Sequence, residues 1–460
     1  MFQTIKNAWR TPDIRKKLLF TLMILLLYRI GANLVVPYVD VSGLSENLEW
    51  ANKEGLFAMF NLLSGSAFTQ GTFFALSVSP YITASIVMQL LTIAIKPLEE
   101  LSKQGDEGRK KITMITRFVT VGLAIITAIG YVELLESESM LTFGSTKVWF
   151  AKLVMIASLC AGAAVIMWLA ELINAHGIGN GISMILFANI VSGFTTTAQQ
   201  MVYMLKDTNS IISISGVGVD YAWKTGWDLV GAIVAIVVSV ALAIAAIVLI
   251  VWFTNSERRI PIQYAKRVVG RKMYGGQSSN LPLKMNMAGV MPVIFASSIV
   301  SILPTIAGFF PSNGKFATWV ANWFNYDTIP YLIVFSVLIF LFSYFYIMIS
   351  FNPIEVANNI RSNGGSVPGI RPGKPTSDYI KKILNRITTF GAVFLLIIAG
   401  LPMLVNVVIS VINEATGASL YFTSLAFMGT SLLIVVGVAL ETVRDIEAQL
   451  TMRNYKGFLD

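Results

Sequence analysis

Long apolar stretches dominate the chain and recur ten times between polar segments. Each is long enough to cross a bilayer as an α-helix, which needs about 20 predominantly apolar residues. Polar and apolar positions do not alternate strictly within them, so the pattern predicts helices rather than barrel strands. The predicted spans lie near Leu18–Val36, Phe73–Ile95, Ile115–Leu135, Val148–Leu172, Ile182–Leu205, Leu229–Phe253, Ala288–Phe310, Ile329–Phe351, Ile387–Ile412 and Phe422–Leu440.

The polar segments between the spans differ in charge. When the eleven segments are numbered from the N-terminus and each charged residue inside a span is counted with the nearest segment, the odd segments hold 27 of the 34 Lys and Arg residues and the even ones hold 7. Acidic residues divide almost evenly, 13 to 12. An excess of basic residues in alternate segments is typical of the cytoplasmic side of a multi-pass membrane protein. The pattern therefore predicts that both termini lie in the cytoplasm.

Composition excludes a soluble domain and most enzyme classes. Charged residues make up 13% of the chain, against about 25% in soluble domains. The chain has one histidine, His176, and one cysteine, Cys160, so we predict no metal site and no internal disulfide. The glycine-rich run at Gly177–Ile182 follows no strand, and no P-loop or hydrolase motif is present. We therefore expect no cofactor and no enzymatic activity.

Five spans precede the middle loop and five follow it. Because five is odd, two such halves would have opposite orientations, as in an inverted repeat. The apolar stretch Leu56–Phe68 is too short to span and predicts a re-entrant or interfacial segment. The predicted organisation is a cytoplasmic N-terminus (1–17), a first half (18–216) with a re-entrant segment near 56–70, a second half (217–440) with cytoplasmic loops near 254–286 and 352–386, and a cytoplasmic tail (441–460).

Several motifs follow one another along the chain. Each is weak alone, but their joint order and spacing are specific. They are Ser79–Ser85, Gln89–Leu91, His176–Ser183, Tyr264–Arg267, Gln277–Ser278, Leu281–Val290, Val367–Gly373 and Gly429–Ile434. Together these motifs resemble the SecY family, the channel subunit of the bacterial Sec protein translocase. The resemblance implies an all-α protein whose ten transmembrane helices, in two inverted five-helix halves, surround a central pore.

The resemblance also implies a pore narrowed by an apolar ring and closed by a plug. Without the resemblance, the ring residues would be interpreted as ordinary packing between spans. Carried over by position, the ring consists of Val78, Ile82, Ile182, Leu186, Ile294 and Ile434. The plug residues are Leu56, Phe57, Met59, Phe60, Leu62, Leu63, Ser64, Gly65 and Ser66.

A lateral gate, with spans two and three on one side and spans seven and eight on the other, is implied as well, together with a cytoplasmic binding surface for partners. The gate residues are Thr83, Ser85, Gln89, Asn286, Ser297 and Ser298. The residues expected to bind the SecA ATPase or the ribosome are Arg258, Arg259, Lys266, Arg267 and Arg371. The alternative interpretation of these basic loops is that their charge only sets the membrane topology. The alternative for the gate residues is that each polar side chain forms hydrogen bonds within its own span.

The implied partners extend to SecE-like and SecG-like membrane subunits, signal sequences, unfolded polypeptide substrates and membrane lipids. The implied location is the bacterial plasma membrane. Two other functions stay open on the residues alone. A solute carrier would share an inverted repeat, but the ionisable residues Arg29, Lys152, Glu171 and Glu441 lie near span ends rather than at mid-membrane. An insertase or scaffold without a pore is the second alternative.

Overall fold

The computed structural model describes residues 2–40, 64–137, 141–142, 147–212, 220–223, 227–264, 267–269, 272–274, 278–307, 314–324, 328–416 and 428–456. Helices dominate this part of the chain. They are α1 (Phe2–Arg10), α2 (Pro12–Gly31), α3 (Ser79–Ala94), α4 (Lys96–Lys103), α5 (Asp106–Ser137), α6 (Val148–His176), α7 (Gly181–Met204), α8 (Trp227–Asn255), α9 (Met291–Val300), α10 (Ile302–Ala307), α11 (Lys315–Trp323), α12 (Ile329–Ser350), α13 (Pro353–Ser362), α14 (Lys374–Thr416) and α15 (Met428–Lys456).

Seven short strands lie between these helices. They are β1 (Lys206–Ile212), β2 (Asp220–Trp223), β3 (Glu257–Tyr264), β4 (Arg267–Val269), β5 (Lys272–Tyr274), β6 (Ser278–Lys284) and β7 (Gly365–Ser366). β1 pairs with β2 and β4 pairs with β5, in both cases antiparallel. The strands therefore belong to the polar segments, and the apolar segments are helical as predicted.

Each predicted span coincides with helical structure. Among the described residues, five helical segments are long and apolar enough to cross a membrane, and they lie in α5, α6, α8, α12 with α13, and α14. A sixth candidate is α3 with α4, which are bent by 100° at their junction. The prediction of an all-α polytopic membrane protein is confirmed.

Three predicted spans differ from the helices of the structure, two at a boundary and one by an internal break. Span two begins at Ser79 instead of Phe73, because residues 73–78 form turns and Pro80 fits only the first turn of a helix. Span one ends at Gly31, before an extended segment in which Val35 bridges Thr72. Span seven is broken at Ser301, where Pro304 cannot donate the backbone hydrogen bond that would continue α9.

The helices contact one another in a closed circuit. α3 contacts α9, and the circuit continues through α12, α14, α15, α7 and α6 back to α3. The largest hydrophobic cluster fills the middle of this circuit and joins helices from both predicted halves. A continuous apolar core therefore connects the helices of the circuit.

The N-terminal and C-terminal helices lie on the same face of the molecule. α1 packs on α15, and the Thr4 hydroxyl donates to Glu447 across a distance of 3.0 Å. The Arg444 guanidinium of α15 donates to the backbone carbonyl of Thr254, just before the first long basic loop, at 2.8 Å. The first, seventh and eleventh polar segments therefore share one face, as the charge pattern predicts for the cytoplasmic side.

The opposite face has its own smaller core. Val39 forms a β-bridge with Leu141, which brings the second and fourth polar segments together. Beneath this bridge lies a second hydrophobic cluster, which contains Val36, Phe68 and Tyr131 among its buried members. Contacts thus join odd segments to odd segments and even segments to even ones.

The two long basic loops form one substructure. β3 pairs with β6 along its whole length, from Glu257 opposite Lys284 to Gln263 opposite Ser278. β7, from the second loop, adds to the other edge of β3 at Gln263. A third hydrophobic cluster supports this sheet and includes Ile260, Ile262, Ile360, Val367 and Ile380. Within β3, the apolar residues Ile260, Ile262 and Tyr264 occupy alternate positions, which is the sequence pattern typical of a strand.

Candidate pore and partner-binding surface

The six ring residues come from four helices of the circuit. Val78 caps α3, and Ile82 lies one turn into that helix, where its backbone N–H bonds the Val78 carbonyl at 3.0 Å. Ile182 and Leu186 occupy the first two turns of α7 and share a face because they are four residues apart. Ile294 lies in α9 and Ile434 in α15.

Five of the six ring residues belong to the central hydrophobic cluster and are between 1% and 5% exposed. Ile182 is half-buried and packs against the same cluster. Side chains from α3, α7, α9 and α15 therefore meet in one apolar cluster. A narrow passage lined only by such groups would dewet.

Most of the predicted plug lies outside the described residues, including Leu56, Phe57, Met59, Phe60, Leu62 and Leu63. Ser64, Gly65 and Ser66 are described and form a turn in which Gly65 has φ 64° and Ser66 has φ 72°. Ala67 directly after this turn belongs to the same central cluster as the ring residues. The chain just after the predicted plug thus packs into the central cluster.

Two side chains form hydrogen bonds with this segment. The sequence alone did not connect either of them with the plug. Arg29, which was expected only to reach the membrane interface, donates from Nη1 to the Gly65 carbonyl at 3.3 Å. The buried Tyr131 hydroxyl donates to the Phe68 carbonyl at 2.6 Å. A signal for Arg29 was present in the sequence, because an arginine within an apolar span is costly and is usually functional.

The predicted gate residues flank a direct contact between α3 and α9. Thr83, Ser85 and Gln89 are half-buried on α3, while Asn286, Ser297 and Ser298 are buried in or just before α9. Their hydrogen bonds stay within each helix. Thr83 donates to the Ser79 carbonyl at 3.1 Å and Gln89 to the Ser85 hydroxyl at 3.4 Å. Both serines of α9 donate to the Ile294 carbonyl, at 2.8 and 2.9 Å.

Two of the predicted partner-binding arginines stand on the shared sheet. Arg258 and Arg259 are exposed on β3, and Arg259 pairs with Glu257 at 2.7 Å. Arg371 is exposed in the turn before α14, where its carbonyl accepts a hydrogen bond from Thr376. Arg267 lies in β4, and Lys266 lies outside the described residues. Arginines from two separate loops are therefore presented by one supported platform.

This platform is connected to the helix that carries Ile434. Burial lowers the pKa of Lys284 at the end of β6, and the positive charge of Arg444 lowers it further, although Glu257 and Glu441 act in the opposite sense. Arg444 belongs to α15 and also donates to the carbonyl oxygen of Thr254. Arg444 thus fixes α15, which carries Ile434, to the end of α8 just before β3.

Comparison with known proteins agrees with this architecture. A family model described as SecY matches residues 72–443. The chain belongs to the SecY family. A protein translocase subunit SecY of Streptomyces galbus is 42% identical over 470 residues, which cover 100% of both chains. SecY-family proteins are protein-conducting channels of the translocase, and the chain is accordingly a multi-pass membrane channel subunit and not an enzyme.

Two solved structures share the fold. A SecY structure, whose plug domain is described as stabilising the closed state of the translocation channel and maintaining a membrane seal, aligns with TM-score 0.59 and 16% identity. The alignment covers 94% of this chain and 91% of the SecY chain. Sec61 in the canine ribosome–channel complex from the endoplasmic reticulum aligns with TM-score 0.60 and 15% identity over the same shares.

Proposed function

We propose that this SecY-family channel passes unfolded secretory polypeptides through the ring formed by Val78, Ile82, Ile182, Leu186, Ile294 and Ile434. The observation that carries the proposal is the meeting of these residues from α3, α7, α9 and α15 in one apolar cluster. The plug is assigned to residues 56–70, which pack into the central cluster through Ala67.

The physical chemistry of a crossing polypeptide explains this design. An extended chain in lipid leaves its backbone N–H and C=O groups unpaired, and each group costs several kcal/mol, about 2–7 by transfer measurements. Water on both sides of a short constriction removes most of that cost. A dry constriction of branched side chains still blocks ions when no chain is present.

Lateral release of transmembrane segments is assigned to the seam between α3 and α9. A segment of about 20 apolar residues gains up to roughly 10 kcal/mol in lipid, at about 0.5 kcal/mol per Leu-like residue. Thr83, Ser85, Gln89, Ser297 and Ser298 bond within their own helices, so these bonds survive when the helices separate. Partitioning into lipid then drives exit through the seam.

Energy for transport must come from outside this chain, and the basic platform is the proposed docking surface. Guanidinium groups at Arg258, Arg259 and Arg371 suit both the carboxylates of a SecA ATPase and the phosphates of ribosomal RNA. Lys266 and Arg267 complete the proposed surface. SecE-like and SecG-like small subunits are the proposed membrane partners, and signal sequences and unfolded chains are the proposed substrates.

The proposed orientation has both termini in the cytoplasm of a bacterium, with the channel in its plasma membrane. It rests on the charge pattern of the polar segments and on the shared face of α1 and α15. The halves 18–216 and 217–440 are proposed to be inverted repeats around the pore.

The test is a cysteine crosslink in membranes that contain SecA and ATP. Cys160 is first replaced by Ser, and a cysteine is then placed at Ile82 or Ile294, with another in the middle of a stalled secretory protein. Val337, 59% exposed on the outside of α12, is the matched control position. A crosslink at the ring positions that requires ATP and a signal sequence supports the proposal. If the stalled protein accumulates without crosslinking at either ring position, it passes elsewhere.

A further inference from the structure

Helix α11 lies between the broken span seven and span eight, and it has an exposed aromatic side. Phe316, Trp319 and Trp323 are 37%, 47% and 52% exposed. Because they are three and four residues apart, they lie on one side of the helix. Neighbouring rings contact, with 6.5 Å between the centroids of Phe316 and Trp319 and 5.6 Å between those of Trp319 and Phe324. Exposed tryptophan rings are typical of the boundary between membrane and water.

The other sides of α11 differ from the aromatic side. Val320 is 3% exposed, so the adjoining side is covered by the protein, and α11 contacts α10. Lys315 and Thr318 are exposed, and Thr318 lies about 200° around the helix from Phe316, at about 100° per residue. The helix thus has one side toward the protein, one polar side and one aromatic side. This division is expected of a helix that lies in the plane of a membrane interface.

The neighbouring span indicates the depth of α11 in the membrane. α12 begins at Ile329 and has 22 residues, so it is about 33 Å long, close to the thickness of about 30 Å of the hydrocarbon core. Its exposed apolar stripe begins at its first residue, since Ile329, Ile333 and Val337 are 59%, 57% and 59% exposed. The other end of α12 leads into α13 and β7 of the basic platform. The start of α12 therefore lies at the membrane surface opposite the platform.

α11 is held at the level of this surface from both of its ends. The Thr328 hydroxyl, just before α12, donates to the backbone carbonyl of Trp323 at 3.1 Å. On the other side α11 contacts α10, which is the last helical part of span seven. The aromatic side of α11 therefore lies at the membrane–water interface, next to the start of the lipid-facing stripe of α12.

We propose that α11 is an interfacial helix that binds the lipid leaflet opposite the basic platform through Phe316, Trp319 and Trp323. The partner is a phospholipid surface, in which the rings enter the boundary between headgroups and acyl chains while Thr318 faces water. Because α11 follows α10 and contacts it, this binding holds the end of span seven at the same surface. The contact requires only that the chain spans a membrane, so it would persist even if no polypeptide passed through the ring.

The experiment measures the depth of spin labels in the channel complex, reconstituted into phospholipid nanodiscs. Cys160 is replaced by Ser, and a single cysteine is introduced as Phe316→Cys or Thr318→Cys and labelled. Collisions of the label with oxygen, which concentrates in lipid, and with a nickel chelate, which stays in water, report its depth. We expect the label at Phe316 to lie about 5–10 Å inside the boundary of headgroups and acyl chains. The label at Thr318 is expected to lie in water, and Val337→Cys gives the reference for the bilayer interior.

Two double variants and one control test the tryptophans. Trp319→Ser with Trp323→Ser removes both rings from an exposed surface, and the Phe316 label is expected to lose its depth and to become accessible to the nickel chelate. Trp319→Phe with Trp323→Phe keeps apolar rings and is expected to retain the depth. Trp149→Ser removes a tryptophan that is 73% exposed at the start of α6, and it is expected to leave the Phe316 label unchanged.

Four results would contradict the proposal. Equal access of the nickel chelate to the labels at Phe316 and Thr318 would show that α11 stands in water. A Phe316 label shielded from both oxygen and nickel would show that a protein, and not lipid, covers the aromatic side. If the double serine variant keeps the Phe316 label at its depth, the tryptophans do not bind the membrane. Ile306 of α10 is 41% exposed, and an Ile306→Cys label that gains no mobility in that variant would show that α11 does not hold span seven.

Discussion

Ile434 shows what a single residue contributes to the proposed seal. It is 4% exposed and packs with the other branched ring residues in the central cluster. At such a site a side chain is selected for being apolar and for filling space without bonding its neighbours. A polar group placed there without a partner costs about 1–3 kcal/mol, as mutational data on proteins indicate.

Replacement of Ile434 by Asn tests that contribution. The asparagine amide would find no hydrogen-bond partner there to replace the water that it loses. The closed state should therefore be weakened by about 1–3 kcal/mol relative to an open, hydrated state. We expect channels with this change to export proteins whose signal sequences are defective. Ile434→Leu, which conserves volume and polarity, is the control. Unchanged signal stringency in an export assay would contradict the ring assignment.

At the scale of elements, the contact between α6 and the turns before α3 is unusually close. A Cβ atom at Gly162 of α6 would overlap the backbone carbonyl oxygen of Phe73. Because the obstacle is backbone, it cannot move aside as a side chain can. Those turns precede Ser79, where α3 begins, so this glycine helps to set the start of a ring-bearing helix.

Gly162→Ala is therefore expected to destabilise the protein by about 1–3 kcal/mol, the usual range for overpacking. The measurement is the midpoint of thermal unfolding in detergent. Gly122→Ala is the matched control, because its Cβ would meet no atom within 4 Å and alanine favours helix by up to about 1 kcal/mol. If the two variants unfold at the same temperature, the close approach of α6 to Phe73 is not required.

The seam between α3 and α9 provides a second prediction at this scale. Ser297 and Ser298 donate to the Ile294 carbonyl of their own helix. Removing such a bond together with its donor leaves the helix intact, so Ser297→Ala with Ser298→Ala should change the release of transmembrane segments by less than about 0.5 kcal/mol, or twofold. Ser431→Ala on α15, away from the seam, is the comparison. A large change in insertion efficiency would show that the serines bond across the seam.

For the whole molecule, the main consequence of the fold is that the basic platform and the ring belong to one connected structure. β3, β6 and β7 join two loops that are far apart in sequence, and Arg444 of α15 bonds the end of α8 just before β3. If the proposed motor docks on the platform, its binding can be transmitted toward the ring through these elements.

Arg371→Glu tests the platform. Reversal of this charge should cost a charge-assisted contact to SecA, which is about 1.5–3 kcal/mol, or roughly tenfold or more in transport rate. The protein itself should still insert into the membrane, because Arg371 is exposed outside the helices. Arg361→Glu makes the same charge change on exposed α13 and is the control. Normal SecA-driven transport by the Arg371 variant would contradict the assigned role.

The sequence alone was sufficient for the apolar segments, the charge asymmetry between segments and the motifs of the SecY family. These are local properties: a run of apolar residues must be helical in lipid wherever it lies, and basic residues mark the cytoplasmic side without reference to packing. The strand at Arg259 was also predictable, because apolar Ile260, Ile262 and Tyr264 occupy alternate positions in the sequence.

Only the tertiary structure decided which distant residues meet. It brought Arg29 to the Gly65 carbonyl and joined β3 to β7 across about a hundred residues. Each of these depends on backbone groups and side chains far apart in the chain, whose pairing is set by the packing of whole helices. Hydrophobicity determines that a segment enters the membrane, but it does not determine its neighbours there, because lipid and protein interior are equally apolar.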